Sequence, residues 1–110
     1  MKKQITKLLL LLFTLPGVLL AQTTGSLLGV VTDGETDEAL IGANVIVLES
    51  GVGAATDING TYAIEGIKPG NYTIRVSYIG YEVTDLVDVQ VNAGINTRQN
   101  IVLLMESISG

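Results

Sequence analysis

The 110-residue chain contains no cysteine, no histidine and no tryptophan, one phenylalanine and two prolines. Without cysteine no disulfide can brace the fold, so core packing and ladder hydrogen bonds must hold it. Without histidine the commonest general base and the commonest zinc ligand are gone. Every Ser-His or Cys-His nucleophilic arrangement goes with them. Basic residues are also scarce: six Lys and Arg stand against eleven Asp and Glu, and three of the six are Lys2, Lys3 and Lys7.

Those three lysines open a segment with its own logic. They precede the apolar run Leu8 to Leu15, interrupted only by Thr14. Pro16-Gly17 then breaks the run, and Val18-Leu19-Leu20-Ala21 leads to Gln22. A charged start, a short apolar centre and a small residue at the boundary describe a secretory signal peptide over residues 1–21, cut between Ala21 and Gln22. A membrane span needs about 20 continuous apolar residues, and this run is shorter and broken. No Cys follows the cut, which argues against a lipid anchor. Export to the periplasm, the outer-membrane region or the cell surface is the expectation.

The remaining 89 residues suffice for one domain. They keep Lys68, Arg75 and Arg98 against all eleven carboxylates, a net charge of −8. A surface that acidic repels nucleic acid and anionic lipid, so nucleic-acid binding is excluded and the mature domain is not expected to span a membrane.

From Ser26 onward, short Val-, Ile-, Thr- and Tyr-rich runs alternate with Gly, Asn, Asp and Pro, and no helical period is sustained. Strands are expected at Ser26–Asp33, Ala43–Glu49, Ala54–Thr56, Thr61–Glu65, Asn71–Tyr78, around Val87–Val91 and at Thr97–Leu104. Ala43–Glu49 is apolar on both faces, as in a central strand. Tyr72, Ile74, Val76 and Tyr78 share one face of theirs, and Val87, Val89 and Val91 share another. Asp57-Ile58-Asn59-Gly60 reads as a hairpin turn and Lys68-Pro69-Gly70 as a second turn. About seven strands at this spacing predict an all-β, antiparallel β-sandwich over residues 22–104. Residues 105–110 read as a tail cut short of further sequence.

Each constellation that suggests chemistry has a plainer reading. Asp57, Asn59 and Gly60 look like the start of a calcium loop, but the Glu that an EF-hand needs about 12 residues along is missing. The spacing is ordinary turn chemistry. Asp33, Glu35, Asp37 and Glu38 read as a solvated acidic loop. Thr23, Thr24, Ser26 and Ser77 have no base, since Lys68 sits beside a turn rather than in a buried pocket. Tyr62, Tyr72, Tyr78 and Tyr81 invite a sugar-binding reading. Tyr72 and Tyr78 fall on a core face, which leaves Tyr81, after Gly80, as the one weak surface-binding candidate. No catalytic residue, metal site or cofactor site is expected.

Five pieces in order resemble the carboxypeptidase regulatory-like domain, a transthyretin-like (prealbumin-like) β-sandwich. They are Gly29-Val-Val-Thr-Asp33, Leu40 to Val45, Gly53 to Tyr62, Pro69 to Tyr72 and Ser77 to Tyr81. That resemblance implies a folding, docking or spacer module without catalytic residues. A zinc carboxypeptidase would in any case need His ligands. Behind a signal peptide, the domain is most similar to the N-terminal extension of TonB-dependent outer-membrane receptors of Bacteroidetes-like bacteria. The resemblance thus implies a protein partner within a receptor assembly. The alternative is a free-standing carbohydrate- or cell-surface-binding domain using Tyr81 on a glycan.

Overall fold

The computed structural model describes residues 23–107; the signal-peptide segment with its Ala21–Gln22 boundary, and residues 108–110, lie outside the described residues. Eight strands follow one another without a helix among the described residues: β1 Gly25–Asp33, β2 Asn44–Val47, β3 Gly53–Ala55, β4 Thr61–Ile67, β5 Gly70–Ser77, β6 Thr84–Val91, β7 Asn96–Arg98 and β8 Ile101–Leu103. They form two facing sheets. One places β1 between β4 and the successive strands β7 and β8, and the other runs β3-β2-β5-β6.

Alternation decides which side chains meet between the sheets. Leu27, Val31, Tyr62, Ile64, Ile101 and Leu103 point inward from the first sheet. Val45, Val47, Ile74, Val76, Val89 and Val91 meet them from the second. Burying each such side chain stabilises the fold by about 1.5–3 kcal/mol, which is how a domain without disulfides holds together. The β-branched residues of β2 suit its central place between β3 and β5.

The all-β sandwich expected from the sequence is present, with three differences in detail. The expected final strand is two short ones, β7 and β8, and both pair with β1 in parallel rather than antiparallel fashion. Between them Tyr62 and Val30 reach the intervening residues. The Tyr62 hydroxyl donates to the Gln99 carbonyl at 2.6 Å, and the Val30 N–H donates to Asn100 Oδ1 at 3.0 Å. Gly29 allows that approach, since a Cβ there would lie 2.1 Å from the Gln99 carbonyl oxygen.

The second difference is in β6. Its register against β5 slips between Tyr72 and Ile74, which places an extra residue in β6 near Asp88, at φ 57°. That bulge turns Val87 out to solvent while Val89 and Val91 stay buried. Leu86 packs against the core in its place. Simple alternation grouped Val87 with the other two valines because a single-residue slip leaves no mark in composition.

The third is the Asp57–Gly60 turn, which does not close a hairpin. β3 pairs with β2 and β4 pairs with β1, so the turn carries the chain from one sheet to the other. Likewise Lys68-Pro69 crosses between sheets, and Gly70 is already the first residue of β5, opposite Val91.

Candidate interaction surface

The pairing brings four chain segments to one end of the sandwich. Asn44 opposes both Ala55 and Ser77, Thr84 opposes Val76, and Asp33 lies beside Leu103. The β1–β2 loop, the β3–β4 turn, the β5–β6 loop and the segment after β8 therefore share that end. Backbone bonds tie them. The Gly42 N–H donates to the Thr56 carbonyl (3.0 Å), Glu82 to Leu104 (2.8 Å) and Glu106 to Gly80 (3.0 Å).

At the β3–β4 turn the residues singled out in the sequence have structural work. Asp57 Oδ1 accepts from the N–H groups of Asn59 and Thr61, both at 2.9 Å. The Gly60 N–H donates to the Asp57 carbonyl at 2.9 Å, which makes Asp57 the first and Gly60 the fourth residue of the turn. Gly60 alone has positive φ, 75°, and a Cβ there would sit 2.8 Å from Ala39 Cβ and 2.9 Å from the Val31 carbonyl oxygen. Asn59 does not share the positive φ, so the mirror-image hairpin turn that Asn-Gly suggested is not formed. Its neighbour Thr56, passed over in the sequence, is buried. Its hydroxyl donates to the Leu40 carbonyl at 2.5 Å and accepts from the Ala43 N–H at 2.9 Å. The β1–β2 loop is thus sewn to the turn by one side chain.

At the opposite end, Tyr72 donates its hydroxyl to the Lys68 carbonyl at 2.5 Å, across Pro69-Gly70. A tyrosine reaching back a few residues in this way braces a corner between sheets, as in immunoglobulin-type sandwiches.

Tyr81 lies at the four-segment end, half-buried against the core rather than free in solvent. Its backbone bridges Met105, its ring is tilted 56° to that of Tyr78 at 5.4 Å, and its hydroxyl donates to Asp33 Oδ2. Asp33 is buried, unlike the exposed Glu35, Asp37 and Glu38, so the acidic loop is solvated at three of its four positions. Its other oxygen accepts from the N–H groups of Glu35 (2.7 Å) and Thr36 (3.0 Å). The Tyr81 hydroxyl and these amides hold the Asp33 carboxyl below its ordinary value. Reciprocally, the bond to Asp33 and desolvation push the Tyr81 phenol up to about 12, and burial pushes Tyr62 up to about 12.

Beside Tyr81 is a shallow depression of about 520 Å³ bordered by Gly42, Asn44, Tyr78, Ile79, Val83 and Glu106. Ile79 is 90% exposed and Val83 60%. Sequence reasoning missed Ile79. The signal was available: an apolar residue directly before the Gly80 turn has no strand face on which to be buried. Among the described residues no group of three or more His, Cys, Asp or Glu is placed to hold a metal. Every buried side-chain polar atom among them has a hydrogen-bond partner.

Fold and surface together define a small all-β sandwich. The same architecture occurs in the cohesin–X-dockerin complex of Acetivibrio cellulolyticus, where the match has a TM-score of 0.64 at 18% identity and covers 72% of this chain and 56% of that one. A minor pilin of Streptococcus agalactiae matches with a TM-score of 0.57 at 16% identity over 80% of this chain and 47% of that one. At such identities these likenesses concern the fold alone. The sequence itself is more specific: residues 27–109 match the CarboxypepD_reg-like domain, and the chain belongs to that family. A TonB-dependent receptor of Formosa agariphila is 27% identical over 104 residues, 94% of this chain. The chain spans only 10% of that receptor's length.

Proposed function

We propose that the chain is the N-terminal periplasmic module of a TonB-dependent outer-membrane uptake receptor, working by protein contact and carrying no chemistry of its own. The observation behind this is the alignment of nearly the whole chain with a small part of a receptor. Two features support it. The family is a non-catalytic sandwich type, and the side chains of Asp33, Thr56, Asp57 and Tyr81 at its loops are engaged in bracing turns. Among the described residues no helix is long and apolar enough to cross a membrane, which says nothing of a barrel elsewhere.

Protease shaving tests the location. An antibody against residues 23–107 is expected to detect an epitope that survives protease on intact source cells and is lost once the outer membrane is permeabilised. Digestion on intact cells would place the module at the surface and favour the glycan- or surface-binding alternative, with Tyr81→Ala then the first variant to examine for glycan retention.

A further inference from the structure

The four-segment end has a lopsided charge. Asp33, Glu35, Asp37 and Glu38 lie on the β1–β2 side, Asp57 on the β3–β4 turn, Glu82 in the β5–β6 loop and Glu106 beyond β8. No Lys or Arg falls on these segments. Arg75, the nearest in register, is held by Asp85 through two bonds of 2.8 and 2.9 Å. Lys68 is at the opposite end, beside Glu65. At this end the exposed apolar pair Ile79 and Val83 lines the Tyr78–Tyr81 depression. Glu106 borders the depression, Glu82 lies between Tyr81 and Val83, and Glu38 is near enough to act on the Tyr81 phenol.

We propose that this end docks a basic polypeptide segment carrying an apolar side chain. The apolar group seats against Ile79, Val83 and the Tyr78 ring, and its Lys or Arg neighbours face Glu38, Glu82 and Glu106. An apolar centre ringed by one sign of charge selects such a partner by complementarity. A second copy of this chain is a poor occupant, because it would bring its own carboxylates against these and offer, among the described residues, only two cations outside the Arg75–Asp85 pair, Lys68 and Arg98, at the ends of different strands. An anionic membrane is repelled for the same reason. This inference rests on the reading of the chain as a protein-contact module and not on its place in a receptor.

The test uses the full chain and three probes: a short fluorescein-labelled peptide alternating Lys and Val, its Glu–Val counterpart, and vesicles of phosphatidylcholine with phosphatidylglycerol. Fluorescence anisotropy is expected to report binding of the Lys–Val peptide only, weakening several-fold between about 0.02 M and about 0.3 M salt. Ile79→Ser, whose side chain is already in solvent, weakens binding about tenfold, with an amide spectrum otherwise unchanged. The double variant Glu82→Gln/Glu106→Gln weakens it similarly, whereas Glu65→Gln at the far end has no effect. Peptide-induced amide shifts fall at residues 41–44, 78–83 and 104–107. Absence of binding, shifts spread over all carboxylates, equal loss with Glu65→Gln, or binding to vesicles instead would each overturn the proposal. A negative peptide result with a protease-protected epitope would remove this surface and leave the periplasmic location standing.

Discussion

Thr56→Val isolates two buried hydrogen bonds that tie the β1–β2 loop to the β3–β4 turn. Valine keeps the branched shape and nearly the volume of threonine, so packing is preserved. The lost hydroxyl leaves the Leu40 carbonyl and the Ala43 N–H, both buried, without the partner Thr56 provided. Leaving a buried polar group unpaired costs about 1–3 kcal/mol, so two give about 2–6 kcal/mol. Domains of this size have a total stability of about 5–15 kcal/mol. The loss lowers Tm by about 8–48 °C at roughly 4–8 °C per kcal/mol. Urea and thermal unfolding followed by circular dichroism measure it, with Thr56→Ser as the control. Serine keeps both bonds, loses one methyl, and costs about 1 kcal/mol. If Thr56→Val unfolds within about 0.5 kcal/mol of the parent, or no lower than Thr56→Ser, the sewn-loop account of this end is wrong.

Other substitutions separate steric from conformational causes. Gly60→Ala carries the positive-φ cost of about 1–2 kcal/mol and a clash with Ala39 and the Val31 carbonyl, whereas Gly66→Ala, at φ 71° with nothing within 4 Å, carries only the first. Chemical denaturation is expected to rank Gly60→Ala as the more destabilised, and the reverse order would contradict the packing described. Tyr62→Phe strips the Gln99 carbonyl of its donor and costs about 1 kcal/mol by the same measurement. Tyr81→Phe removes the first cause of the lowered Asp33 pKa. Because that carboxyl lies below its ordinary 3.8 in the folded state, its contribution is present above the unfolded value and lost as pH falls through the folded one. In Tyr81→Phe the Asp33 carboxyl, followed by NMR titration, moves up toward 3.8 and this part of the acid-side loss shrinks; an unmoved titration would show that the Tyr81 hydroxyl is not bound there.

The architecture was legible because side-chain period and turn residues act locally. The alternation of Tyr72, Ile74 and Val76 carried the inner face of β5, with Tyr78 against the core just beyond its end, and the β-branched density of β2 carried its central position. What was not legible depends on partners far along the chain. The Asp57–Gly60 turn has the chemistry of a hairpin, yet nothing local says that β3 and β4 join different sheets. The parallel pairing of β7 and β8 with β1 joins residues some 70 positions apart, and the Asp88 bulge is a register event. At the candidate surface, Tyr81 was picked out because it follows Gly80. Its hydroxyl bond to Asp33, 48 residues away, accounts for why it is half-buried. Thr56 looked like any strand-end threonine until the Leu40–Ala43 segment was folded against it. The family resemblance carried information that periodicity could not: its recurrent Asp, Thr, Gly and Tyr positions are the ones that bond across the loops.

The receptor reading stands or falls most directly on the size and location of the native polypeptide that carries this sequence. An immunoblot of fractionated source cells with antibody against residues 23–107 is expected to reveal a band many times the mass of the sandwich, confined to the outer-membrane fraction. A small band in the soluble periplasmic or secreted fraction would contradict it and make the domain a free-standing binding protein.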